Sequence, residues 1–325
     1  MGTGVVATLL NRLPYNGSWL YYLSIVVFVL NAVLFCVALI LSVIRYWMWP
    51  RIWTIMSRDR HHSLFLGALP IGFTTLINML LYVCVPAWGT WVATLAWVLW
   101  IIDSIVALFV TFLVPYITMT HGERSALHTV NAVQLLPLSS TLSSASTGSL
   151  VAGALPNPEH ALWTMIASYA LLGVGLPLVM TVLAIYYQRL TLHHLPPREV
   201  IVSVFLPVSP LCLASFSLLR LGSVAAQTIP RNPTTLKYAS AGETLHTFGC
   251  ITAVILWAHS LVWLAYAVAS IAHQRHFPFN MGWWSFTFPL GMLALDTIAI
   301  GTELGSAFFR VLGTVCFVPF FVAFL

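Results

Sequence analysis

Several groups of side chains in this 325-residue chain are of types that do chemistry. Histidines gather as His61-His62, His121 with His128, His193-His194, and His273 with His276. Imidazoles in such numbers can hold iron or zinc in a membrane enzyme. No carboxylate is clustered with them, and no H-E-x-x-H pattern is present. Histidines so placed at helix ends are also plain interfacial residues that favour the C-terminal end of the helix dipole. A hydroxyl run, Ser139-Ser140-Thr141-Leu142-Ser143-Ser144-Ala145-Ser146-Thr147-Gly148, has no histidine–carboxylate partner close in sequence, as an activated nucleophile would need. It reads either as small residues that let helices approach closely or as the polar wall of a path. Asp103, Arg220, Asp296 and Arg310 fall inside or near apolar stretches. A charge at the bilayer centre costs ~2.5–3.5 kcal/mol or more and is a functional candidate by default. Arg220 and Asp296 lie toward corresponding ends of their stretches, and an intramembrane ion pair between them is expected, with substrate contact as the other reading of Arg220.

The elements that must position these groups are membrane helices. The chain is 60% hydrophobic and only 6% charged, against about 25% charged in ordinary soluble chains. Roughly ten apolar stretches approach the ~20 residues a spanning helix needs: residues 1–12, 18–46, 64–84, 89–119, 132–153, 160–188, 199–221, 242–272, 281–300 and 303–325. The first is too short to cross, so either the chain starts upstream of Met1 or this helix enters only part way. A proline-bearing segment recurs in the odd-numbered stretches: Leu66–Phe73 around Pro70, Gln134–Ser140 around Pro137, Phe205–Pro210 around Pro207, and Phe286–Gly291 around Pro289. Such a period marks a repeated structural unit. Proline inside a membrane helix is tolerated where the freed backbone packs in protein or lines a wet cavity. The odd helices therefore read as an inner, kinked ring, the even ones as an outer ring of intact helices, and the whole as five helical hairpins in one transmembrane domain over residues 1–325. Gly2-Thr3-Gly4 supplies the first break. Residues expected along the path are Gly4, Pro70, Thr74, Asn78, Pro137, Ser139, Ser140, Pro207, Ser209, Phe286 and Pro289.

The net charge of +5 does not point to nucleic acid, because the 13 basic residues are scattered and form no reader motif. The five cysteines sit in or beside apolar segments with no C-x-x-C pair, so neither a disulfide framework nor a metal site is expected. No segment has the zones of a secretory signal peptide. Basic residues concentrate after the even stretches: Arg45, Arg51, Arg58, Arg60, Arg124, Arg189, Arg198 and Arg275, against Arg12, Arg231 and Lys237 on the other face. The positive-inside rule then puts those loops and both termini in the cytoplasm. The sequon Asn16-Gly17-Ser18 falls on the outer face, in agreement.

The stretch Phe279-Asn280-Met281-Gly282-Trp283-Trp284-Ser285-Phe286-Thr287-Phe288-Pro289-Leu290-Gly291 resembles the ninth-helix signature of the tellurite-resistance/dicarboxylate transporter family, which includes the slow anion channels of plant guard cells. Met1-Gly2-Thr3-Gly4 followed by Leu13-Pro14-Tyr15, Ser63–Gly67, Gly72-Phe73-x-Thr75-Leu76-x-Asn78 and Gly301-x-Glu303-Leu304-x-Ser306 are similar to its fungal sulfite efflux branch, with malate transporters as neighbours. The resemblance covers essentially the whole chain. It departs in a first helix that begins late and in His61-His62 where His-Pro is usual. It implies an all-α polytopic fold of five hairpins around a central pore, with odd helices inside. It implies that Phe288, the matching phenylalanine of the ninth helix, plugs that pore at mid-membrane, as a bulky ring can by dewetting a narrow passage. It further implies export of sulfite or bisulfite across the plasma membrane without a cofactor, a lipid environment, and a trimer. The alternatives are a malate or C4-dicarboxylate carrier of the same family and, in a different class, a histidine-ligated membrane enzyme.

Overall fold

The computed structural model describes residues 1–121, 127, 130–229, 240–274 and 281–324. Arg124, His128, Arg231, Lys237, Arg275 and His276, and the start of the ninth-helix motif at Phe279-Asn280, lie outside the described residues. Among the described residues the chain is helical with no strand. The elements are α1 (Gly2–Arg12), α2 (Ser18–Met48), α3 (Pro50–Arg58), α4 (Arg60–Leu64), α5 (Ala68–Met79), α6 (Val85–Trp88), α7 (Thr90–His121), α8 (Leu135–Ala154), α9 (Pro158–His193), α10 (Val208–Thr228), α11 (Ala241–Gln274), α12 (Trp284–Glu303) and α13 (Ala307–Phe324). Seven of the described helical spans are long and apolar enough to cross a membrane, and the protein is a polytopic membrane protein. The sequence leads one to expect only a loop where α3 and α4 form.

The prolines do not break helices at their middles. In α5, α8 and α10 the α-helix is preceded by a 3₁₀ segment, at Phe65–Gly67, Ala132–Gln134 and Ile201–Phe205, and a proline is its third residue: Pro70, Pro137 and Pro210. Pro207 is the N-cap of α10. First-turn amides have no partner within an α-helix, so a proline there gives up little. The tighter 3₁₀ geometry carries the chain into each of these helices. The fourth copy differs. After the 3₁₀ turn Met281–Trp283, Pro289 lies deeper, as the sixth residue of α12.

Burial separates two sets of helices. Every residue of α8 from Leu135 to Ala152 is buried, and α10 is buried along nearly its whole length. In the 31-residue α2 only Leu20, Ser24 and Asn31 are buried, and α11 buries mainly small residues such as Gly249, Ala253, Ser260 and Ala267. The well-buried helices touch one another in order: α1 packs on α5, α5 on α8, α8 on α10, α10 on α12, and α12 back on α1. They close a ring. Around it, α2 lies against α1, α7 and α9 against α8, α11 against α10, and α13 against α12.

Small residues set these distances, because lipid supplies no hydrophobic drive between helices and van der Waals fit must do so. At the α10–α11 contact a Cβ on Gly249 would stand 2.5 Å from the Leu218 carbonyl oxygen. Replacing Gly249 with valine should therefore push α11 off α10 and destabilise the protein by ~1–3 kcal/mol, seen as a lower unfolding temperature of the purified protein in detergent, whereas Gly173→Ala, with open space around it, should leave that temperature unchanged.

Candidate functional site

Inside the ring lie two small chambers end to end. The first, of about 30 Å³, is lined by Val5 and Thr8 of α1, Thr74, Thr75 and Asn78 of α5 with Tyr82 just beyond, Ser143, Ser146 and Leu150 of α8, Leu213 and Phe216 of α10, and Phe288, Met292 and Leu295 of α12. The second, of about 40 Å³, is lined by Arg12, Tyr82, Phe216, Arg220, Leu295, Ile298, Ala299, Thr302 and Glu303. Tyr82, Phe216 and Leu295 border both and form the partition.

The spacing of these residues explains the arrangement. Val5, Thr8 and Arg12 are one helical stripe, as are Ser143, Ser146 and Leu150, and Leu213, Phe216 and Arg220. Each steps by three or four residues, which keeps side chains on one face. On α12 the stripe runs Phe288, Met292, Leu295, Ala299, Thr302, about 21 Å at 1.5 Å per residue. In α1, α5, α10 and α12 the earlier residues line the first chamber and the later ones the second, so these four helices run in the same direction. Tyr82 owes its position to a π-helical turn, Leu80–Cys84, an element that recurs at functional sites because it re-aims a side chain without ending the helix.

The first chamber is neutral and its hydroxyls are mostly engaged. Thr74 Oγ1 donates to the Ile71 carbonyl at 2.8 Å and lies 2.6 Å from Ser143 Oγ. A hydroxyl has one proton, so Ser143 donates to Thr74 and ties α5 to α8. Thr8 donates to the Gly4 carbonyl, and Thr75 donates to that of Gly72 and accepts from Asn31 Nδ2. Asn78 Oδ1 is buried with no hydrogen-bond partner among the described residues. Thirty cubic ångströms hold roughly two waters, so the chamber is too small to pass a hydrated anion as it stands.

A family model described as SLAC1, voltage-dependent anion channel, matches residues 1–325. The chain belongs to the voltage-dependent anion channel family. It is 43% identical over 316 residues, 97% of this chain and 83% of the relative, to the sulfite efflux pump SSU1 of Arthroderma otae. It is 26% identical to the sulfite efflux pump SSU1 of Candida albicans over 93% of this chain and 64% of the relative. The malic acid transport protein of Schizosaccharomyces pombe is 24% identical over 96% of this chain and 71% of its own length. These relatives are named as transporters.

In this anion channel family member the residues expected along the path divide. Phe288, Thr74 and Asn78 line the first chamber. Gly4 does not, for a Cβ there would run into Thr75 Oγ1, so this glycine permits α1 to pack on α5. Ser140 donates to the Pro137 carbonyl of its own helix at 2.6 Å and faces α7, 3.3 Å from both the Ala107 carbonyl and Thr111 Oγ1, while Thr111 also donates to the Pro137 carbonyl. Ser139 and Ser209 donate to their own helices, at Leu135 and Leu206. Phe286 packs its ring against Phe205 at 4.7 Å and Trp283 at 5.7 Å. Pro70, Pro137, Pro207 and Pro289 are likewise absent from both linings. The reason is angular. Ser139 is one turn before Ser143 on the same face, ahead of the chamber, whereas Ser140 and Phe286 are rotated away from their helices' lining stripes by roughly 60° or more. Sequence reasoning passed over Tyr82, Leu213, Phe216, Met292 and Leu295, although the i, i+4 steps from Asn78 to Tyr82, from Ser209 to Leu213 and from Phe288 to Met292 were there to extend.

The ion pair expected between Arg220 and Asp296 does not form. Ion pairs form at His62–Asp59 and His246–Glu303, and neither includes Arg220 or Asp296. Asp296, fully buried, takes a 2.9 Å hydrogen bond from Ser215 Oγ, which stands five residues before Arg220 on α10. Five residues are about 140° around a helix and 7.5 Å along it, so the face of α10 that meets Asp296 is not the face that carries Arg220 into the second chamber. Arg310 is likewise no mid-membrane charge. Its guanidinium caps the α12–α13 turn at the carbonyls of Ser306 and Gly305, where Gly305 takes a positive φ of 62°. Among the described residues no three metal-ligating side chains gather. Because Ser215 is the partner of Asp296, Ser215→Ala should lower stability by ~1–3 kcal/mol, and Arg220→Gln should not. Thermal unfolding of the two variants in detergent checks the assignment.

Proposed function

We propose that this protein exports sulfite or bisulfite from the cell, through the path bordered by α1, α5, α8, α10 and α12, with Phe288 as its gate. The observation that carries the reading is the set of lining stripes around two collinear chambers, with Phe288 the first residue of the α12 stripe. Similarity to sulfite efflux pumps over 97% of the chain supports the substrate. In this reading the domain spans residues 1–325 in the plasma membrane, with the termini and the ends of α2, α7, α9 and α11 in the cytoplasm. The second chamber then opens outward.

The chemistry asked of the protein is small. Conduction requires sites weak enough to release the ion, and the hydroxyl and amide lining of the first chamber offers dipoles without a fixed charge. A singly charged anion leaving an inside-negative cell gains ~2.3 kcal/mol per 100 mV, which is roughly 50-fold in concentration at ~1.4 kcal/mol per decade. No nucleotide or bound cofactor is needed for export against that gradient. Phe288 is 6% exposed and lies among the apolar core side chains, so its ring blocks the narrow first chamber by packing. Rotation about its side-chain torsions would open the chamber.

Phe288→Ala should raise anion conductance in planar bilayers at least tenfold, and a variant that conducts no more than wild type defeats the gate assignment. In proteoliposomes under an imposed potential, sulfite should move faster than malate. Faster malate flux would transfer the protein to the dicarboxylate branch of the same family.

A further inference from the structure

We propose that the second chamber is an anion-binding site in its own right, in which Arg12 and Arg220 receive a small oxyanion after it has passed Tyr82. This rests on the reading that the lining stripes border a transport path.

The two chambers are built from different chemistry. No charged side chain lines the first. The second has two guanidinium groups, on Arg12 and Arg220, and one carboxylate, Glu303. Glu303 Oε1 already takes His246 Nε2 at 2.7 Å and Ser223 Oγ at 2.8 Å, which hold it against α10 and α11. Arg220 has no carboxylate partner among the described residues, because Asp296 is held by Ser215. Its Nε is buried and makes no hydrogen bond among the described residues. A buried guanidinium nitrogen without an acceptor carries the full desolvation penalty of a charged donor, and an oxyanion in this chamber would supply the missing acceptor. The planar fork of a guanidinium suits two oxygens of one oxyanion.

Arg12 completes the site from the other side of the ring. Its guanidinium carbon stands 4.9 Å over the Tyr82 ring, so the side chain that partitions the chambers also props the cation at the mouth. Two positive charges against one carboxylate leave the lining net positive even with His246 neutral. An anion crossing the partition would thus leave a neutral chamber for a cationic one, and the Glu303 carboxylate in the same lining keeps the site weak enough to release.

The test measures binding apart from flux. Wild type, Arg12→Gln, Arg220→Gln, Arg220→Lys and the exposed control Arg45→Gln are purified in detergent. Their unfolding temperatures are followed against sulfite and, separately, nitrate, with gluconate holding ionic strength constant. Wild type and Arg45→Gln should be stabilised with the same half-saturating concentration. Arg220→Gln should need about tenfold more anion, the order expected for one charge-assisted contact. Arg12→Gln should need a few-fold more, and Arg220→Lys should fall between wild type and Arg220→Gln. Should Arg220→Gln fail to fold, the exposed Arg12 decides, since its glutamine variant removes a cation and leaves the core untouched. Wild-type affinity in both glutamine variants, or no stabilisation of wild type by either anion, overturns the site. Failure of sulfite flux in liposomes with the arginine dependence of nitrate binding intact would overturn the substrate reading and leave the site standing.

Discussion

Ser139, Thr141, Ser149, Ser209 and Ser217 each donate to a carbonyl three or four residues back on their own helix. A buried hydroxyl with no partner would be costly where water is absent, and here the helix that carries the hydroxyl also satisfies it. Helices such as α8 and α10 can then be small, polar in composition and wholly buried at once. The ring depends on that economy of partners. With these hydroxyls turned onto the backbone, and Ser143 and Ser144 tied to Thr74 and Ser104, the inner helices approach closely enough to close around two chambers and leave only a few side chains facing inward.

Burial of the inner ring places the apolar bulk on the other helices. Exposed Trp88, Trp91, Val98, Ile105, Phe109 and Phe112 run along α7 and its entry, and α2 presents an almost unbroken apolar face. These surfaces face away from the ring. Indole groups make specific polar links: Trp100 Nε1 to the Ser144 carbonyl and Trp257 Nε1 to Thr297 join the two layers, and Trp97 Nε1 to Thr164 joins the outer helices α7 and α9. Indole suits this position because it adds one donor to a large apolar body.

In the proposed path, the neutral first chamber and the cationic second chamber divide two demands that conflict at a single site. Passage through a narrow dry space favours a lining without strong charge, while capture of an anion favours a guanidinium. The partition at Tyr82, Phe216 and Leu295 keeps the two environments apart, and the π-helical turn at Leu80–Cys84 is what brings Tyr82 to it.

The primary structure alone determined much of the layout. Apolar length set the membrane class and placed most helix boundaries within a few residues. The recurring proline segments fell on the inner helices α5, α8, α10 and α12, although Pro115 and Pro177 also lie inside the outer helices α7 and α9. All of this is local: hydropathy and proline act on the residues that carry them. What the sequence could not decide was which way each side chain faces and which charges meet. Arg220 and Asp296 looked like partners by depth, yet Ser215 holds the carboxylate and Arg220 turns into the second chamber. Ser140 sits beside a lining face but donates to its own helix and faces α7, and the α8 hydroxyls that line the first chamber are Ser143 and Ser146. A step of one residue rotates a side chain by 100°, and only the packing of five helices against one another fixes where that rotation begins.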